Sequence, residues 1–86
     1  MESHEVIFYP LMTESASLMV EKDNKLIFIV SLKAGKTDVK KAVEELYEVK
    51  VAKISTLITP QGQKKAFVKL TPEFKASDVA IKLGIL

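Results

Sequence analysis

The run KKAFVKLT, residues 64–71, sets three cations around an aromatic ring: Lys64, Lys65 and Lys69 about Phe67. Strand side chains alternate with period two, so Lys65, Phe67 and Lys69 share one face, and Ala66, Val68 and Leu70 share the other. The second set is a core face. The first is neither a good core stripe nor a plain solvated one. A lysine face kept for solubility and a basic surface for a polyanion stay open together. Phe67 is taken first as part of a second covered sheet face, with a sugar edge, a base or the protein's own helix as its other partners. Two more clusters have the same character. Lys33, Lys36 and Lys40 surround a helix start, and Lys53 has Ser55, Thr56 and Thr59 as possible hydrogen-bonding neighbours. All thirteen cations are lysine, point charges without a planar fork, so the pattern points to phosphate contact rather than base-edge reading.

Other chemistry finds little support. His4 is the only histidine and sits in a terminal segment, where a surface role is expected. Glu44 and Glu45 are adjacent on a helix and point in different directions, which suits a solvated face better than acid–base work. KAGKT, residues 33–37, ends like a phosphate loop but lacks the first glycine of the GxxxxGK[ST] spacing. A backbone phosphate contact at that helix start stays open. Cysteine is absent, which removes disulfides and thiolate chemistry. No apolar run reaches the roughly 18 residues that suggest a membrane span, and the acidic N-terminus does not resemble a secretory signal. The expectation is a non-enzymatic protein without cofactor or metal.

The formal net charge is only +2, but the charge is segregated. Residues 1–32 hold two lysines against five acids, and residues 42–49 hold three glutamates and no lysine. Residues 33–41 hold four lysines against Asp38, and residues 50–69 hold five lysines and no acid. A chain patterned in this way can show one partner a basic surface.

These residues must be positioned by a small frame. Eighty-six residues make one domain, residues 1–86. The pattern predicts a strand at 6–10 stopped by Pro10, and a helix capped by Thr13 with Glu14 in its first turn. It predicts a second strand at 25–32, apolar on both faces and therefore covered on both, as helices on both sides of the sheet would explain. Thr37 is expected to cap a helix carrying Val39, Ala42, Val43, Leu46 and Tyr47 on one stripe. Strands at 51–59 and 64–71 flank PQGQ as a hairpin. Ser77 is expected to cap a short final helix ended by Gly84. The result is an α+β fold, β-α-β-α-β-β plus a short C-terminal helix, with helices packed on a four-stranded, mainly antiparallel sheet. Whether the lysine clusters join depends on hairpin register.

KKAFVKLTPEFKASDV resembles the signature of the universal large-subunit ribosomal protein twenty-three family: two basic residues, a small one, an aromatic, Val, Lys and Leu, then an apolar residue, here Val79. YPLMTESAS is similar to the family's opening P-x-x-[ST]-E-K-A. DVKKAVEELYEVKVAKISTL is similar to its [IV]-K-x-A-V-E-x-[LI]-[FY]-x-V-K-V-x-x-V-N-T. The likeness covers roughly residues 6–85 and looks archaeal in style. It departs in two places. Ser15 stands where the family usually has lysine, and PQGQ replaces the long basic hairpin tip that bacterial relatives send into the polypeptide tunnel.

The resemblance implies a cytoplasmic, ribosomal protein that binds large-subunit ribosomal RNA beside the polypeptide exit and touches neighbouring ribosomal proteins. It also implies a landing surface for the signal recognition particle, nascent-chain chaperones and the translocon, without membrane insertion. Glu14 matches the family's [ST]-E glutamate, which helps dock a chaperone in bacterial relatives. The RNA-contact candidates are Lys33, Lys36, Lys40, Lys53, Thr56, Thr59, Lys64, Lys65 and Lys69. An RNA-recognition-motif reading of the hairpin fails, because Lys65 and Leu70 stand where the stacking aromatics belong. The remaining alternatives are a small non-ribosomal α+β regulatory domain and a protein-interaction module using the acidic first third.

Overall fold

Leu26, Phe28 and Val30 alternate along one strand and are at most 1% exposed, which decides where the core lies. The computed structural model describes residues 3–11 and 13–84. Its elements run α1 (Ser3–Val6), β1 (Ile7–Pro10), α2 (Glu14–Asp23), β2 (Lys25–Val30), α3 (Lys36–Tyr47), β3 (Val51–Ile58), β4 (Lys64–Leu70) and α4 (Ala76–Leu83). The strands form one sheet in the order β1-β2-β4-β3, with every neighbouring pair antiparallel. This is the α+β order that the sequence predicts, with one added helical turn, α1, before β1. The side chain of His4 lies outside the described residues.

The helices cover one face of the sheet. Val20 of α2, Val39, Ala42 and Val43 of α3, and Val79 and Ala80 of α4 join Leu26, Phe28, Val30, Ala66, Val68 and Leu70 in one apolar cluster. Phe28 stacks on Tyr47 with ring centroids 5.6 Å apart and planes 10° from parallel. Burial raises the Tyr47 pKa above the ordinary tyrosine value. Among the described residues, helices on both faces, expected from the doubly apolar β2, are therefore not found. Ile27 and Ile29 are nonetheless buried on the opposite face, where their cross-strand neighbours are Tyr9, Lys65 and Phe67.

Element ends correct the sequence reading in four places. Ser31 turns the chain out of β2, its N–H donating to Val6 O (2.8 Å) and its Oγ accepting from Lys33 N–H (3.2 Å). Leu32 thereby leaves the core face and is exposed. The N-cap of α3 is Gly35 rather than Thr37, because the Asp38 carboxylate accepts the Gly35 N–H at 3.0 Å. Helix α4 starts before Ser77, because Asn24 Oδ1 accepts the Ala76 N–H at 2.7 Å. Strand β1 begins at Ile7, with Val6 closing the turn ahead of it. Elsewhere the local chemistry agrees. Thr13 Oγ1 accepts the Ala16 N–H (3.1 Å), and Gly62 supplies the positive φ of the β3–β4 turn.

Asn24 ties three elements together. It ends α2 in the left-handed conformation (φ 55°), its carbonyl accepts the Leu70 N–H (3.1 Å), and its side-chain amide donates to Phe74 O (2.9 Å). Asn24→Ala removes a part-buried amide bonded at both ends and puts a Cβ-bearing residue without local compensation in the left-handed region. The expected loss is about 2–4 kcal/mol in urea denaturation. Asn24→Gly relieves only the backbone part and should recover about 1 kcal/mol of it. Equal losses for the two variants would show that the backbone conformation contributes nothing.

Candidate nucleic-acid interface

Strand β4 lies between β2 and β3, so its helix-free residues form rungs across the sheet. Lys69 pairs with Lys25 on one side and Lys53 on the other. Phe67 pairs with Ile27 and Ser55, and Lys65 with Ile29 and Leu57. Tyr9 of β1 extends the last rung beyond Ile29. Phe67, taken first as part of a covered face, instead stands between lysine-bearing rungs on a face that no helix covers.

The rung of three lysines is electrostatically unfavourable in the free protein. Strands sit about 4.8 Å apart, so the three side chains root within about 10 Å, close to a Debye length at physiological salt. Like charges directly opposite each other cost roughly 0.2–1 kcal/mol per pair. None of the ten acids among the described residues falls within a strand. The Asp38 and Glu44 carboxylates are engaged elsewhere, accepting the backbone N–H groups of Gly35 and Val51 at 3.0 Å each. The tri-lysine rung and Phe67 with Ser55 line a depression of about 120 Å³.

Lys53 connects this face to a second cluster. A bulge between Val51 and Lys53 puts an extra residue, Ala52, into β3, which is an edge strand. There Lys53 and Ala52 line a cleft of about 280 Å³ with Lys36, Thr37 and Lys40 of α3. The start of α3 adds the positive end of its dipole. One basic path thus runs from Lys36 and Lys40 through Lys53 and Lys69 to Lys25.

Other candidates fall elsewhere. Lys33 and Lys64 line a separate groove of about 340 Å³ with Phe8, Tyr9 and Leu32. The Lys64 ammonium donates to Ala34 O at 2.6 Å, bracing β4 against the approach to α3. Thr56 pairs with Ala66 and so belongs to the helix side, and Thr59 Oγ1 accepts the Gln63 N–H (3.1 Å) inside the turn. Neither threonine joins the basic path. Glu14 is exposed in the first turn of α2, in the helical layer behind the sheet. Sequence reasoning missed Lys25. Its alternation with Ile27 and Ile29 was visible, but its place beside Lys69 follows only from the β2–β4 register.

A family model described as Ribosomal protein L23 matches residues 5–84 of the chain, nearly its whole length.

Lys69→Gln, at the centre of the tri-lysine rung, should leave the free domain folded and raise its stability by roughly 0.4–2 kcal/mol, since it removes two like-charge pairs. Denaturation at low ionic strength measures the gain, which should shrink in 1 M salt, where the Debye length is about 3 Å. A loss of stability, or a gain indifferent to salt, would contradict this account of the rung.

Proposed function

The chain belongs to the ribosomal protein L23 family, and from that premise we propose that it binds ribosomal RNA through the helix-free face of its sheet. Membership makes it a structural protein of the large ribosomal subunit, located in the cytoplasm within the ribosome and acting in translation. The finer reading, RNA contact beside the polypeptide exit, rests on the tri-lysine rung of Lys25, Lys69 and Lys53. Phosphates placed there relieve the repulsion between the ammonium groups and release the counterions condensed on the RNA. Lys65 extends the contact on the same face, and Lys36 and Lys40 extend it around the β3 edge.

The two-layer fold gives the molecule a second side. With the sheet face on RNA, the helical layer stays free, and on it Glu14 lies one turn from Leu18, which is 46% exposed. We assign this acidic and apolar strip to factors at the tunnel exit, namely the signal recognition particle, nascent-chain chaperones or the translocon. Neighbouring ribosomal proteins have the groove lined by Phe8, Tyr9 and Leu32 available to them. The tight β3–β4 turn, closed by Thr59 N–H to Gln63 O at 2.8 Å, offers no extension into the tunnel.

Neutralising about five phosphates predicts a log–log slope of affinity against salt near −3.5 to −4.5 on a purified ribosomal RNA fragment. Lys69→Gln should make that slope shallower by about 0.7–0.9, whereas Thr56→Ala leaves it alone. A flat salt dependence for the unmodified chain would remove the electrostatic reading. For the other side, large subunits assembled with Glu14→Lys should co-sediment less signal recognition particle while incorporating the protein normally. Undiminished co-sedimentation would take Glu14 out of the docking surface.

A further inference from the structure

We propose that the depression over Phe67 receives a single unpaired nucleotide of RNA, its base on the aromatic ring and its flanking phosphates on Lys25, Lys53 and Lys69. The inference rests on the reading that this face binds RNA, and it names the form of RNA that the face selects.

Three observations meet at this place. Phe67 is half-buried at the middle of the sheet, between Ile27, which is buried, and Ser55, which is exposed. An aromatic ring in that position offers a base an apolar platform without reading its identity, because every base has a π-face. The tri-lysine rung is two residues along the same strands, about 7 Å away. That is the reach from a stacked base to the phosphates on either side of it. The depression itself, about 120 Å³, is lined by Lys25, Lys53, Ser55, Phe67 and Lys69, so platform and cations belong to one concavity. Ser55 adds a hydroxyl that can donate to or accept from a base edge or a ribose 2′-OH.

A continuous duplex does not use this arrangement. Its bases are paired and stacked on each other, and it would meet only the lysines. A bulged or looped-out base reaches the ring and keeps its phosphates over the rung. An acidic peptide would satisfy the lysines but has no flat group for Phe67. The charge and the aromatic together therefore favour an unpaired nucleotide over either.

The test compares two RNA hairpins that differ only by one bulged 2-aminopurine nucleotide, with the full chain as ligand. The bulged hairpin should bind about five- to hundredfold tighter than the continuous one, the range expected for stacking one base. Binding should also quench the 2-aminopurine fluorescence. Phe67→Leu should abolish both the preference and the quenching and leave the salt slope intact, while Phe67→Tyr keeps all three. Equal affinity for the two hairpins with a steep salt slope would overturn the nucleotide pocket and leave the phosphate-binding face standing. A flat salt slope on both hairpins would overturn the underlying RNA reading as well. Competition by poly-glutamate as effective as the bulged hairpin would assign the face to an acidic protein partner instead. The quenching needs no variant, so it decides the matter even if Phe67→Leu folds poorly.

Discussion

The alternation of side chains along β4 is the constraint on which both the core and the basic face depend. This strand is paired on both edges, so its register is fixed twice, against β2 and against β3. One register sends Ala66, Val68 and Leu70 under the helices, where each is at most 1% exposed, and turns Lys65, Phe67 and Lys69 outward. A slip of one residue would exchange the sets and drive two ammonium groups into the core. Burying unpaired charges in that way costs several kcal/mol each, comparable with the whole stability of a small domain. The basic face is therefore not an addition to a finished fold. Whatever secures the core also aims the lysines.

One-sided coverage follows from the connections. Helix α3 carries the chain from β2 past β4 to the outer strand β3, and its buried residues join those of α2 and α4 in a single cluster. The return from β3 to β4 is a tight turn, closed by Thr59 and Gln63 and permitted by the positive φ of Gly62, so no chain is left there to cover the other face. Yet that face is not bare. Ile27 and Ile29 are 7% and 3% exposed because Tyr9, Lys65 and Phe67 flank them, the lysine stem serving as apolar cover while its head stays in water. This leaves an apolar floor with a charged rim, which suits a ligand having both a flat base and a charged backbone.

Much of this was legible in the sequence, and the failures have physical causes. Element types and order could be read because each has a strong local signal: the stripe from Val39 to Tyr47, the alternation in KKAFVKLT, the Pro60 and Gly62 punctuation. The lysine clusters could be read from their spacing, and the all-lysine composition pointed them to phosphate rather than base-edge contact. What local reasoning could not supply were long-range partners. Gly35 caps α3 because Asp38 reaches back to it, and α4 starts at Ala76 because Asn24, 52 residues earlier, accepts its N–H. Lys25 seemed an ordinary strand-end lysine until pairing set it beside Lys69. The doubly apolar β2 suggested a second helical layer, since burial by neighbouring side chains and burial by a helix leave the same mark on a sequence. Thr56 was read beside Lys53 for a related reason, because its side of β3 is fixed only by pairing with Ala66.

A net charge of +2 gives little hint of a basic face, and the fold explains how so small a surplus produces one. The four strands contain five lysines and none of the ten acids among the described residues. Of those five, Lys25, Lys53, Lys65 and Lys69 stand on the helix-free face, and Lys64 is tethered to Ala34 O. Among the described residues the acids lie on helices and loops, and the carboxylates of Asp38 and Glu44 are bonded to backbone N–H groups. Folding therefore keeps carboxylates off the sheet, while the helices carry lysines as well as acids. At ordinary salt, charges farther than about 8–10 Å apart are largely screened from one another. A ligand on the sheet accordingly responds to the lysines beneath it more than to glutamates on the far side of the helices. Sorting by secondary structure gathers lysines on one sheet face without requiring a strongly basic composition.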